Sequence, residues 1–203
     1  MRPSVLHLAT LWSEKGVFEV LESATTVLGM FPAVRYVLAG EWYSPAEAQE
    51  AKRYIARYGL EDCVRMVGPV AGERKNQLLA SSTVMFFPSH SEGHPLVLLE
   101  ALSASLPVIT TRVGAIPEII SDGKEGFLID RGDVVALADR TARLVGDPEL
   151  RARMSFCARR RYERDFTAEH FADRLGAIWR WIMDENRQPS VDGAASAMEA
   201  TGS

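Results

Sequence analysis

Short apolar runs that alternate with helix-length amphipathic stretches constrain this chain more than any other feature of it. Residues 4–9 read as a strand, and residues 15–31 as a helix with Val17, Val20, Leu21, Ala24 and Leu28 on one face. Residues 34–39 form a second apolar run that stops at Gly40, and Pro45 opens a helix to Tyr58, since a proline is tolerated in the first helical turn. The pattern continues with strands at 64–67, 83–87, 108–111 and 127–129, separated by helices at 73–81 and 95–104.

Strands that are apolar throughout, with helices between them, belong in a parallel sheet covered on both faces. Right-handed crossovers then wind the sheet in both directions from its middle. The expected fold is α/β, a doubly wound, Rossmann-like parallel sheet of about six strands with helices on both faces. A helical C-terminal extension follows, at 134–145, 148–164 and 168–184; Phe171, Leu175, Ile178, Trp179 and Ile182 make an apolar stripe on its last helix. Residues 186–203 are rich in Ser, Ala and Gly without periodicity and read as a disordered tail beyond a domain at 1–185. In a doubly wound sheet a ligand sits beyond the carboxyl ends of the strands, which directs attention to the loops after Ala9, Gly40, Gly68, Phe87 and Thr111.

Composition narrows the function classes. An apolar content of 47% in 203 residues suits one packed domain, and a net charge of −4 speaks against a general nucleic-acid binder. Cys63 and Cys157 have no metal or CxxC spacing, so neither a disulfide framework nor a metal site is expected. There is no signal-peptide pattern at 1–10 and no apolar run of membrane-spanning length, which makes a soluble, cytoplasmic protein the expectation. The arginine-rich stretch at 151–164 reads as a solvated helix face; peripheral contact with anionic lipid at the inner membrane face is the weaker alternative.

The chemistry is concentrated at residues 88–102. Gly93 suggests a tight bend between strand and helix, and Pro95 a helix start whose free amides and partial positive charge face the crevice, a seat for phosphate. Glu100 is the only charged residue between Glu92 and Arg112, on a helix apolar enough to be buried, and a buried carboxylate needs a partner. An arginine or a ligand hydroxyl would serve.

The run PSHSEGHPLVLLEALSASLPVITTRVGAIPEII resembles the signature of family 4 glycosyltransferases, P-S-x-x-E-G-x-P-L-x-x-x-E-A-x-A-x-G-x-P-V-I. SEKG at 13–16, YVLAGE, VRMVGPV and SDGKEGFLI resemble flanking motifs of the same family, in matching order from residue 4 to about 183. The resemblance implies the donor-binding half of a retaining GT-B enzyme, which moves a sugar from a nucleoside diphosphate sugar to an acceptor hydroxyl without a bound metal or other cofactor. It implies that Glu92 lies against the donor sugar and Glu100 against the ribose hydroxyls. Lys15 would neutralise the diphosphate, and the amides of His94 and Leu96 would face sugar or phosphate beside Gly93. Gly68, Pro69 and Val70 would flank the base, and Gly114 would bring backbone to the phosphates.

Three positions depart from the pattern. The family's arginine after the first strand is Thr10 here, which removes one phosphate cation at a cost of about 1.5–3 kcal/mol of binding. Ser105 and Ala115 stand where glycines are usual, and small residues at both suggest mild effects. The acceptor-binding N-terminal domain of the family has no counterpart in this sequence, so activity is expected to need that partner. The last helix of the family packs on that domain, and Trp181, off the apolar stripe, is the candidate contact. The competing readings are a nucleotide-sugar-binding module that does not transfer, and a structural partner subunit with a vestigial crevice.

Overall fold

The computed structural model describes residues 2–185. The chain divides into a unit ending at Arg164 and a second beginning at Asp165. The disordered tail expected at 186–203 lies outside the described residues.

The first unit is built on a six-stranded sheet in the order β3-β2-β1-β4-β5-β6. Its strands are β1 (Ser4–Leu8), β2 (Arg35–Ala39), β3 (Val64–Gly68), β4 (Val84–Phe87), β5 (Val108–Thr111) and β6 (Gly126–Ile129), and every pairing is parallel. The helices between them are α1 (Val17–Met30), α2 (Pro45–Arg57), α3 (Gly72–Ser81), α4 (Leu96–Ser103) and α5 (Ile116–Ile119), followed by α6 (Val134–Gly146) and α7 (Pro148–Asp165). The second unit is represented by α8 (Ala168–Glu185). This is the doubly wound α/β architecture that the periodicity predicts.

The side-chain period of two splits the sheet's apolar residues between two cores. One face carries Val5, Tyr36, Leu38, Val84, Phe86 and Ile109 under α1, α2 and α6, where Val20, Leu21, Ile55 and Leu137 are buried with them. The other carries Leu6, Leu8, Met85 and Phe87, with Leu79 of α3, Leu98 and Leu102 of α4, and Ile119 of α5 buried on the same side. Fully burying one such side chain contributes about 1.5–3 kcal/mol. The two cores together fix the sheet against its helices.

Three elements differ from the expected pattern. Lys15 is not in a helix: Ser13–Lys15 is a 3-10 turn, and Gly16, at φ +75°, breaks the chain before α1 begins. Pro95 is the cap of α4 rather than its first residue, with extended backbone at φ −74° and ψ 107°. The four-residue α5 escapes the apolar pattern because one turn is too short to show a period.

On α8, the stripe residues Phe171, Leu175, Ile178 and Trp179 are exposed, as is Trp181 off the stripe. No helix among the described residues is long and apolar enough to cross a membrane. Cys63 and Cys157 are both free.

Candidate functional site

The strand order reverses between β1 and β4: the chain runs outward from β1 to β3, then returns to β4 on the other side. In a sheet of this topology a ligand crevice is expected at this reversal, beyond the carboxyl ends of the strands.

The loop after β1 is tied down at short intervals. Leu11 donates its amide to Glu41 at 2.8 Å and accepts from Tyr43 at 3.0 Å, joining the loops after β1 and β2. Trp12 stacks on Tyr43 with ring centroids 4.3 Å apart, and the Ser13 amide donates to the Glu47 carboxylate at 3.0 Å. The 3-10 turn then presents Lys15. Gly16 is obligatory on two counts, because its φ is left-handed and a Cβ there would lie 2.3 Å from the Pro88 carbonyl oxygen. The turn that bears Lys15 therefore rests directly on the loop after β4.

That second loop, Pro88 to Pro95, is laced to the first. The His90 amide donates to the Glu14 carbonyl at 2.8 Å, and the Ser89 hydroxyl lies 3.2 Å from the same oxygen. From β5, Thr110 donates to the Phe87 carbonyl at 2.7 Å, and Thr111 donates to that of Ser89. Gly114, at φ +52°, lets the loop after β5 press against Glu92: a Cβ there would lie 1.9 Å from the Glu92 carbonyl oxygen. The Ala115 amide donates to Gly93 at 3.0 Å. The close approach that Gly114 permits on its Cα side is thus to the protein's own backbone.

These ties bring Lys15 and Glu92, 77 positions apart, into an ion pair of 2.6 Å. The Glu92 side chain is 9% exposed and that of Lys15 25%. Gly93 beside it lies at the expected bend, but its φ is not left-handed and a Cβ there would meet nothing within 4 Å, so close packing does not require this glycine. At the start of α4 the Leu98 amide is used by the Pro95 carbonyl at 3.1 Å, and no side chain caps the end. The amides of Leu96 and Val97 precede it in the first turn, where a helix has no internal acceptor to offer. His94 is exposed, and the Leu96 side chain is 69% exposed.

Glu100 departs from the expectation of burial. Its side chain is 38% exposed, and its partner is Lys75 of α3, at 2.6 Å. Lys75 is the site residue that the sequence does not reveal. It stands in a polar helix start, where lysine is ordinary, and only the fold brings α3 beside α4. Gly68 closes β3 with φ +71°, followed by exposed Pro69 and half-buried Val70 at the carboxyl edge. Thr10 is exposed in the loop after β1. Ser105 has φ +59°, the only left-handed non-glycine among the described residues, so serine there is strained rather than mild; Ala115, at φ −84°, is not.

Beneath the crevice, His7 is fully buried in β1, its Nδ1 3.2 Å from the Phe86 carbonyl oxygen. Burial lowers its pKa to about 4, so the ring is neutral at pH 7. It is a core residue of the strand and not a candidate base. Among the described residues, no three His, Cys, Asp or Glu side chains gather as a metal would need. Hollows of about 360 Å³ around Arg2, Thr83 and Arg151 and of about 390 Å³ between α1 and α6 lie away from Lys15 and Glu92.

Residues 1–161 match the family described as glycosyl transferases group 1. The chain belongs to that family. Its curated relatives include N-acetyl-alpha-D-glucosaminyl L-malate synthase of Bacillus anthracis, 28% identical over 92% of this chain and 48% of the relative. A sulfoquinovosyl transferase of Arabidopsis thaliana is 32% identical over 89% of this chain and 35% of its own length. The chain thus spans half the length of these relatives or less. Among solved structures, the C-terminal domain of a group 1 family protein from Francisella tularensis superposes with a TM-score of 0.75 at 25% identity, covering 82% of this chain and 87% of that one. The Anabaena protein HepE, solved in complex with UDP, shares the fold with a TM-score of 0.77 at 24% identity, covering 86% and 48%.

Proposed function

We propose that this chain is the donor-binding half of a retaining glycosyltransferase and that its crevice takes a nucleoside diphosphate sugar. The observation that carries the reading is the Lys15–Glu92 pair at the point where the strand order reverses, in a chain of the group 1 family. Lys15 and the open amides at the start of α4 would meet the diphosphate, stabilising the charge that grows on it as the sugar leaves. Glu92 would orient the sugar, with Gly93 leaving room for it. Glu100 would accept from the ribose hydroxyls once Lys75 yields part of its contact, and the backbone from Gly68 to Val70 would flank the base. The amides of His94 and Leu96 complete the set. These groups supply the charge compensation themselves, so the reading calls for no resident metal or cofactor. Transfer would need an acceptor-binding N-terminal domain as partner, and the setting is taken as cytoplasmic.

Thermal unfolding with UDP, GDP, ADP and their common sugars at millimolar concentration tests it. A ligand at a hundred times its dissociation constant stabilises by about 2.7 kcal/mol, and Glu100→Ala, by weakening binding about tenfold, should cut this to about 1.4 kcal/mol. No shift with any of them would sink the reading. Thr10, exposed where a second cation would help, favours one alternative: a module that binds the donor without transferring. Binding without transfer after an acceptor half is supplied would mark it.

A further inference from the structure

The proposed function leaves unused a polar pair that joins the loop after β4 to α1. His90 Nε2 lies 2.5 Å from Glu19 Oε1, with the side chains 27% and 15% exposed. Glu19 stands in the first turn of α1, whose start has no side-chain cap. A carboxylate there is favoured by the helix dipole and is free to fold back on the helix end. Instead it reaches across to the loop after β4. His90 is therefore held at both ends: its amide by the Glu14 carbonyl next to Lys15, and its ring by the helix that follows Lys15. Glu92 is two residues further on.

We infer that His90 is a positioning residue: clamped by Glu19, it sets where the Glu92 carboxylate stands against Lys15 and so fixes the seat of the donor's sugar. This rests on the proposed function and deepens it. The ring donates to Glu19 as the Nε2–H tautomer or as the imidazolium, and either bond is charge-assisted and mostly covered. An exposed pair at the same distance would contribute little. The ties from Ser89, Thr110 and Thr111 hold the start of the loop, and Gly114 and Ala115 hold its end. In the middle, the Ser89 hydroxyl donates to the Ser91 carbonyl at 3.1 Å, and His90, two residues before Glu92, is the side chain that anchors this stretch to α1. Its effect should therefore fall on the sugar and not on the nucleotide.

The test is calorimetric titration of the full chain with UDP and UDP-glucose, GDP and GDP-mannose, and ADP and ADP-glucose, continued with the pair that the wild type binds. His90→Ala and Glu19→Ala should each weaken the nucleotide sugar about tenfold while changing the free nucleoside diphosphate less than about twofold. His90→Gln keeps a donor toward Glu19 and should restore most of the affinity. In a Glu92→Ala background the His90→Ala change should have no further effect, because the residue acts through Glu92. Equal losses for both ligands, or an undiminished effect in the Glu92→Ala background, would assign His90 to folding alone and overturn the inference. If Lys15→Ala weakens binding about a hundredfold while His90→Ala leaves the nucleotide sugar at wild-type affinity, the inference fails and the proposed function stands. A wild-type chain that binds none of these ligands overturns both.

Discussion

Two lysine–glutamate pairs of the same length, 2.6 Å, line the carboxyl edge of the sheet, and they are built differently. Lys15–Glu92 joins two loops; its carboxylate is 9% exposed, and the backbone around it is fixed by glycines that nothing larger can replace. Lys75–Glu100 joins two helices by side chains alone, and its carboxylate is 38% exposed. The first pair is rigid because its backbone is over-determined. The second is loose because water, or a ligand hydroxyl, can take over either half of it. The proposed donor site would use both, one pair to hold groups still and one to admit a ligand.

The comparison breaks most visibly at Gly114. Gly114→Ala forces a left-handed φ and a clash with the Glu92 carbonyl, and should cost about 3–5 kcal/mol in urea unfolding. Gly93→Ala, in open space at ordinary φ, should leave stability within about 0.5 kcal/mol while weakening donor binding. Equal stability losses at both glycines would end the claim that Gly93 is kept for a ligand.

The strand beneath the tight pair brings a pH dependence of similar size. The pKa of His7 in the fold, about 4, lies below its unfolded value of 6.5, so the unfolded chain takes up the proton first. The stability that neutral His7 contributes is present above pH 6.5 and is lost as pH falls towards 4, by about 3 kcal/mol. Denaturant midpoints at pH 7 and pH 4 measure it, and His7→Leu should flatten that window.

Smaller effects sharpen the contrast between the pairs. Lys15→Ala should weaken nucleoside diphosphate binding about a hundredfold, as loss of a charged contact aimed at the phosphates. Glu100→Ala should weaken it about tenfold and change stability by less than about 0.5 kcal/mol, because its pair is open to water. The least effect is a gain: Ser105→Gly relieves the left-handed serine and should stabilise by about 0.5–1 kcal/mol in thermal unfolding.

The strands and most helices were legible in the sequence because burial on both faces writes continuous apolar runs, as in VMFF of β4 and VITT of β5. Glu92, Glu100 and Lys15 could be singled out because a family pattern surrounds them; their pairing with each other and with Lys75 could not be read. Lys75 and Glu19 were not legible. Each is an ordinary polar residue near a helix start, and its partner, Glu100 or His90, lies far along the chain. Gly114 was noticed, but its contact was not, because a glycine shows that something approaches closely without saying what. Glu100 was expected to be buried because the apolar residues of α4 mask the fact that part of its first turn faces water, as Leu96 does.

Loops are usually where a fold accepts changes of length and sequence. The seating of Gly16 on Pro88 withdraws that freedom from the loops after β1 and β4, since one inserted residue in either would lift the other away. Attempts to retune the crevice for a new donor therefore belong elsewhere on the rim. The loop at 41–43 is itself bonded to Leu11, whereas exposed Pro69, beyond β3, stands apart from these ties. A library placed at 69–71 would sample new ligands on an intact scaffold, whereas one placed at 89–92 would mostly sample unfolding.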